Sequence, residues 1–160
     1  MTPAINKPVP EFEALATGGV KFTPQAYAGK IVVLYFYPKD QTPGCSREAR
    51  NFQADQSKYA ERQAVILGVS VDSVDSHKKF CAKEGLNFKL LADTAHTVTK
   101  AYGSLTNLGV AKFASRHTFL IDPNGKIAKV YTSVDPAHHS AEILDQLHQL
   151  QTSGGSALAR

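Results

Sequence analysis

The sequence predicts an α/β fold with a mixed central sheet flanked by helices on both faces. Three observations predict it. Residues 31–37, Ile-Val-Val-Leu-Tyr-Phe-Tyr, form an unbroken apolar run. It is too short for a helix and too uniformly apolar for a half-exposed strand, so it marks a central strand buried on both faces. Residues 64–71 form a second such strand, reached through a stretch of helical spacing; a crossover of that kind makes the two strands parallel neighbours. Residues 117–121 and 127–131 flank Asp122-Pro123-Asn124-Gly125, a hairpin signal that adds antiparallel strands late in the chain.

The remaining elements follow in order. Residues 1–29 hold Pro3, Pro8, Pro10 and Pro24, with Gly18-Gly19 between them, and read as an extended lead-in with a short hairpin at the glycine pair. Pro38 ends the first buried strand. From about 43 to 61, Cys45, Ala49, Phe52, Gln56 and Tyr59 fall on one helical stripe; Thr42 suits the N-cap and Pro43 the first helical position. A second helix spans 73–85, with Gly85 as its stop, and a short strand spans 88–91. A short helix covers 96–102 before Gly103. The last helix covers about 136–150, with Ile143, Leu144, Leu147 and Leu150 on its apolar face. Residues 1–150 read as a single domain. Residues 151–160, with Ser-Gly-Gly-Ser, read as a flexible C-terminal tail.

Composition narrows the function. The chain has 160 residues, 42% hydrophobic and 20% charged, which suits one globular domain. No stretch approaches the roughly 18 apolar residues of a membrane span, and the first residues lack a basic, then apolar, leader. The net charge is +4 and the basic residues are scattered, with Lys78-Lys79 the one adjacent pair. Nucleic-acid binding normally needs a clustered basic patch and is not expected. Two cysteines exclude a disulfide scaffold and a four-cysteine zinc site, and point to the cytoplasm, where thiols stay reduced or cycle. His138-His139 and His148 lack compact ligand spacing and read as a solvated helix face. No cofactor and no metal are expected. A P-loop, a dinucleotide fingerprint, a Cys-x-x-Cys pair and a Gly-x-Ser-x-Gly elbow are all missing.

Chemistry concentrates at Cys45. It falls in the first turn of a helix leaving a central strand, beyond the strand's carboxyl end, where α/β sheets bind ligands. Free N–H groups and the positive end of the helix dipole favour thiolate there. Gly44 permits close approach to the backbone. The bland reading, a small buried core cysteine, stands beside it.

The stretch Phe36-Tyr37-Pro38-Lys39-Asp40-x-Thr42-Pro43-Gly44-Cys45 contains Pro38-x-x-x-Thr42-x-x-Cys45, which resembles the active-site signature of peroxiredoxins, and more fully the bacterioferritin comigratory protein (PrxQ) subfamily. The similarity continues through Gly68-Val69-Ser70, Leu91-Ala92-Asp93 and Arg116-His117-Thr118-Phe119-Leu120-Ile121-Asp122. The resemblance implies a thioredoxin-like fold and reduction of hydrogen peroxide and organic hydroperoxides. It implies Cys45 as the peroxidatic thiol, with Pro38, Thr42 and Arg116 completing its pocket and Glu48 orienting the arginine.

Physical chemistry supports those roles separately. A free thiol, with a pKa near 8.5, is only a few per cent ionised at pH 7. A helix terminus contributes ~0.3–1 kcal/mol, so a nearby guanidinium is the obvious further source of stabilisation. Full ionisation gains at most about 30-fold, so acceleration must come from stabilising charge on the breaking O–O bond. Arg116 can donate there without losing its proton, and the Thr42 hydroxyl can donate or accept.

Many members of the subfamily carry a second cysteine five residues after the first; here that position is Arg50. The other thiol is Cys81, in a segment, Phe80 to Gly85, that resembles the helix where some members place their resolving cysteine. The resemblance then implies an intramolecular Cys45–Cys81 disulfide, a thioredoxin-type dithiol reductant and a monomer. Disulfides need Cα atoms within about 7 Å, so such a bridge requires local unwinding of both helices. A buried structural thiol remains the alternative for Cys81. Three functional alternatives also stay open: a peroxidase with one working cysteine and an external thiol, a peroxide-sensing protein without turnover, and a glutathione-peroxidase-like enzyme.

Overall fold

The structure is a computed structural model and describes residues 2–10, 14–17, 21–23, 27 and 29–152. Its centre is a seven-stranded mixed sheet. The innermost strand is β3 (Ile31–Phe36), whose six residues are all buried, as an unbroken apolar run demands. It pairs in parallel with β4 (Ala64–Ser70) along its full length, Ile31 facing Ala64 and Phe36 facing Val69. On its other side it pairs antiparallel with β8 (Thr118–Ile121), which turns back through Asp122–Gly125 into β9 (Ile127–Tyr131). Beyond β4 lie β5 (Lys89–Ala92), parallel, then β1 (Ala14–Ala16) and β2 (Lys21–Phe22), both antiparallel to their neighbours. The expected N-terminal hairpin is thus present, though Gly18-Gly19 itself lies outside the described residues.

The strand period of two divides the core. Ile31, Val33, Tyr35 and Tyr37 point to one face, where they meet Cys45, Ala49 and Phe52 of α1 (Pro43–Ala54), Phe80 of α3 (Val74–Glu84) and Ile143 and Leu147 of α5 (His139–Thr152). Val32, Leu34 and Phe36 point to the other, against Val98 of α4 (Thr97–Ala101) and Tyr102. Both faces are covered, as expected.

Three elements differ from expectation. The helical stretch 43–61 is two helices, α1 and α2 (Gln56–Glu61), broken at Asp55, whose backbone sits at φ −96°, ψ 4°. The Asp55 carboxylate accepts from Ser140 Oγ at 2.8 Å, so α5 holds the break. The last helix begins at His139 because Asp135 organises residues 136–138 as a turn, its Oδ1 accepting from the Ala137 N–H at 3.0 Å. That helix runs to Thr152; the rest of the tail expected at 151–160 lies outside the described residues. Third, β6 (Leu105–Asn107) and β7 (Lys112–Ala114) form a small separate hairpin that hydrophobic patterning did not reveal.

Among the described residues no helix is long and apolar enough to cross a membrane.

Candidate active site

Cys45 lies in the first turn of α1, just beyond the carboxyl end of β3, and is 1% exposed. The loop from Tyr37 to Thr42 connects the two. It turns sharply enough that Gln41 adopts φ +62°, a left-handed conformation that costs a side-chain-bearing residue about 1 kcal/mol or more. Pro43 occupies the first helical turn, where its missing N–H costs nothing.

Thr42 is the N-cap residue by backbone geometry, yet its side chain caps nothing. Its Oγ1 instead donates to the Lys39 carbonyl at 2.8 Å, bracing the loop. With that proton committed, the hydroxyl oxygen faces further partners as an acceptor. Pro38 is half-buried at the start of the loop and lines an apolar groove of about 320 Å³ with Lys39, Val71, Asp72, Ala111, Lys112 and Phe113. A second cavity, about 330 Å³, lies at the opposite ends of β3 and β4 and contains none of these residues.

Arg116 reaches the sulfur. Its Nη2 lies 3.3 Å from Cys45 Sγ, and its Nη1 donates to Glu48 Oε1 at 2.7 Å. The β6–β7 hairpin explains how: the Ser115 N–H donates to the Ser104 carbonyl, and His117 Nδ1 meets Ser104 Oγ at 2.8 Å. Both neighbours of Arg116 are therefore anchored to Ser104, and the guanidinium is aimed at α1. Gly44 completes the fit, because a Cβ there would come within 3.3 Å of Arg116 Nη2.

Glu48 lies one turn beyond Cys45, 1% exposed. Burial pushes its carboxyl up to about 7, against the opposing pull of the Arg116 guanidinium. Its second oxygen is buried with no hydrogen-bond partner among the described residues. For Arg116, burial works against the charge, but Glu48 and Cys45 outweigh it and raise the pKa above the ordinary value. The result is a permanently cationic group held between a carboxyl and a sulfur.

The structure therefore brings Cys45, Glu48 and Arg116 into contact, with Thr42 at the start of the same helix and Pro38 at the start of the loop that leads to it. Cys81 is apart from them, half-buried on α3 against the same core, and the two thiols are unbridged. Burial raises the Cys81 pKa, with Asp40 adding to the effect and Lys89 opposing it. Helices α1 and α3 are also tied by Arg50 Nη1 to Glu84 Oε1 at 2.8 Å.

One expectation fails. His139 is not on a solvated face: it is 1% exposed, with Nε2 2.7 Å from Thr118 Oγ1 and Nδ1 2.9 Å from Glu142. Burial lowers its pKa. His138 and His148 are exposed as expected. Asp93, within the similar stretch Leu91-Ala92-Asp93, is structural: its carboxylate accepts from the Val98 and Thr99 N–H groups and so caps α4.

Comparison with known proteins places this geometry in a class. The family model described as AhpC/TSA family matches residues 5–130. The chain belongs to the AhpC/TSA family, on its Bcp and PrxQ branch of peroxiredoxins, and is a thiol peroxidase. Peroxiredoxin Bcp of Bacillus subtilis is 40% identical over 154 residues, covering 94% of this chain and 98% of that one. Peroxiredoxin Bcp of Xanthomonas campestris is 38% identical, covering 82% and 84%. A cysteine-to-serine variant of Xylella fastidiosa PrxQ superposes with a TM-score of 0.86 at 33% identity, covering 91% of this chain and 96% of that one. The Xanthomonas campestris bacterioferritin comigratory protein, solved in trapped-intermediate and ligand complexes that address its alkyl peroxide reduction, gives a TM-score of 0.80 at 35% identity, covering 86% and 90%. These relatives share the thioredoxin-like architecture expected for the chain.

Proposed function

We propose that Cys45 is the peroxidatic cysteine and Cys81 the resolving one. The observation that carries the first assignment is the Arg116 Nη2 to Cys45 Sγ contact of 3.3 Å at a helix start. The Cys45 thiolate attacks one peroxide oxygen, the O–O bond breaks, and the leaving oxygen takes up a proton. The products are Cys45 sulfenic acid and water or an alcohol. Arg116 donates to the oxygens as charge builds on them, and Glu48 orients Arg116. The Thr42 hydroxyl, its own proton on Lys39, accepts the peroxide O–H and orients it. Pro38 shields the sulfur, and the groove beside it has room for the carbon chain of an organic hydroperoxide.

Cys81 then displaces hydroxide from the sulfenic acid, forming the Cys45–Cys81 disulfide and, with one proton, water. Burial keeps Cys81 a thiol while α3 is folded. Unwinding of the first turn of α1 and of the Cys81 turn brings the sulfurs together and re-exposes the resolving thiol to water. A thioredoxin-type dithiol reduces the bridge and is itself oxidised, returning both thiols. An intramolecular bridge suits a monomer in a reducing compartment such as the cytoplasm.

Non-reducing mass spectrometry after one equivalent of peroxide tests this. The expected product is an intramolecular Cys45–Cys81 bridge. In Cys81→Ser, one oxidation of Cys45 persists while turnover with thioredoxin stops. A stable sulfenic acid in the wild type, or unchanged turnover in Cys81→Ser, overturns the two-cysteine reading in favour of an enzyme with one working cysteine and an external thiol.

A further inference from the structure

The active-site loop and the helix that carries Cys81 are joined by a buried polar network that the peroxide chemistry does not use. Asp40, in the loop, is 6% exposed and accepts at both oxygens. Tyr37 Oη donates to Oδ1 at 2.6 Å; Ser76 Oγ and His77 Nδ1 approach Oδ2 at 2.8 and 2.7 Å. The Asp40 N–H donates to Asp72 Oδ2 at 2.8 Å, which also takes the Ser70 hydroxyl at 2.7 Å. The His77 side chain is fully buried, and its Nε2 lies 2.8 Å from the Leu91 carbonyl on β5. A carbonyl only accepts, so Nε2 carries its proton and donates there. Nδ1 faces the Asp40 carboxylate, which also accepts from the Tyr37 and Ser76 hydroxyls. Asp40, Asp72 and His77 come close enough together to suggest a metal site, but their ligand atoms are committed to these internal hydrogen bonds.

The network acts on one part of α3. Ser76 and His77 lie in its first turn, which Ser73 caps by accepting from the Ser76 N–H at 3.1 Å. Cys81 lies one turn later, and the helix stops at Gly85, which has φ +68°. Past His77, α3 is held by the buried Phe80 ring and by the Arg50–Glu84 bridge, whose arginine is exposed. The first turn is therefore the anchored end of the helix, and its anchor is a residue of the active-site loop.

We propose that the Tyr37–Asp40–Ser76–His77 network is a clamp that holds α3 against the active-site loop and sets how often the turn carrying Cys81 opens. His77 is then a positioning residue for resolution. When the first turn of α1 unwinds after Cys45 is oxidised, the loop that bears Asp40 is released, and α3 loses its anchor in the same event. The catalytic consequence rests on Cys81 being the resolving thiol; the clamp itself is tested on the reduced protein.

The test uses two substitutions that split the two contacts of His77. His77→Asn places its amide nitrogen near the position of Nδ1 and retains the Asp40 contact. His77→Gln places its amide nitrogen near the position of Nε2, keeping the Leu91 contact and losing Asp40. A hydrogen bond to a charged group shifts an opening equilibrium by about tenfold or more. In reduced His77→Gln, hydrogen exchange of amides 78–84 and maleimide labelling of Cys81 are therefore expected to accelerate at least about tenfold. In His77→Asn the acceleration is about threefold or less. After peroxide, the disulfide forms faster in His77→Gln by a similar factor, while the rate of Cys45 oxidation stays within about twofold of wild type. Ser76→Ala, a smaller change to the same carboxylate, gives about threefold and serves if His77→Gln does not fold. Unchanged exchange in His77→Gln, or equal acceleration in both His77 variants, overturns the clamp. Faster exchange with no Cys45–Cys81 bridge in any variant, wild type included, supports the clamp and refutes the resolving role of Cys81.

Discussion

Glu48 stabilises the site geometry at the expense of the fold, and the size of that conflict can be worked out. Its carboxyl has an ordinary pKa of 4.5 and is pushed up to about 7 in the fold, chiefly by burial. An acid whose pKa is higher in the folded state binds its proton more readily there. Stability is then complete below about 4.5 and falls as pH rises towards about 7. At about 1.36 kcal/mol per pH unit, the loss has a ceiling of about 3 kcal/mol. Glu48→Gln mimics the protonated form: its amide oxygen can still accept from Arg116 Nη1, and it carries no charge to bury. Removing one partner of a buried ion pair normally costs about 3–5 kcal/mol, because the other charge is stranded. Arg116 is not stranded, since its side chain is 21% exposed and also faces Cys45. Glu48→Gln should therefore match wild type near pH 4.5 and exceed it by up to about 3 kcal/mol at pH 8, with the difference growing between those values. Urea unfolding of both proteins under reducing conditions, from pH 4.5 to 8, measures this. A difference that is flat with pH, or a variant less stable than wild type at pH 8, refutes the reasoning.

Two substitutions separate the site from the scaffold. Gly44→Ala brings a methyl to 3.3 Å from Arg116 Nη2 and moves the guanidinium by a few tenths of an ångström. Single-turnover oxidation of Cys45 should slow by roughly tenfold, while the melting temperature holds or rises because alanine favours the helix. Gly68→Ala does the opposite. Its Cβ would lie 2.7 Å from Leu90 Cδ2 and 3.0 Å from the Tyr35 ring, both fully buried. Denaturant titration should show a loss of about 1–3 kcal/mol, with the oxidation rate of the folded fraction nearly unchanged.

What could be read from the sequence was what local pattern determines. The apolar run of β3 and the Asn124-Gly125 turn each state their structure within a few residues, and both appear at nearly the expected boundaries. The position of Cys45 at a helix start followed from Pro43 and the helical stripe. That Arg116 reaches it, 71 residues along the chain, came from the resemblance and not from spacing. The strands β6 and β7 are three residues each and only partly buried, so they carry no clean alternation; yet this hairpin holds Ser104 and Ser115, which aim Arg116. The break at Asp55 depends on a hydroxyl from α5, and the burial of His139 on Thr118; neither has a local signature. The hydroxyl of Thr42 could cap the helix or brace the loop, and only the fold shows that it turns to Lys39. Asp40 and His77, 37 residues apart, were unreadable as a pair for the same reason.

The central claim is that Arg116, held by Glu48 and Ser104, makes Cys45 reactive towards peroxide. The most direct measurement is the second-order rate constant for oxidation of Cys45 by hydrogen peroxide in wild type, Arg116→Lys and Arg116→Met. The chain has no tryptophan to report the reaction, so acid quench, alkylation and mass spectrometry provide the readout. Loss of charge-assisted hydrogen bonds to the sulfur and to the breaking O–O bond predicts a drop of about a hundredfold or more for methionine. Lysine, which keeps the charge without the fork, should fall about tenfold or more. Rate constants within about twofold of wild type in both variants would contradict the account.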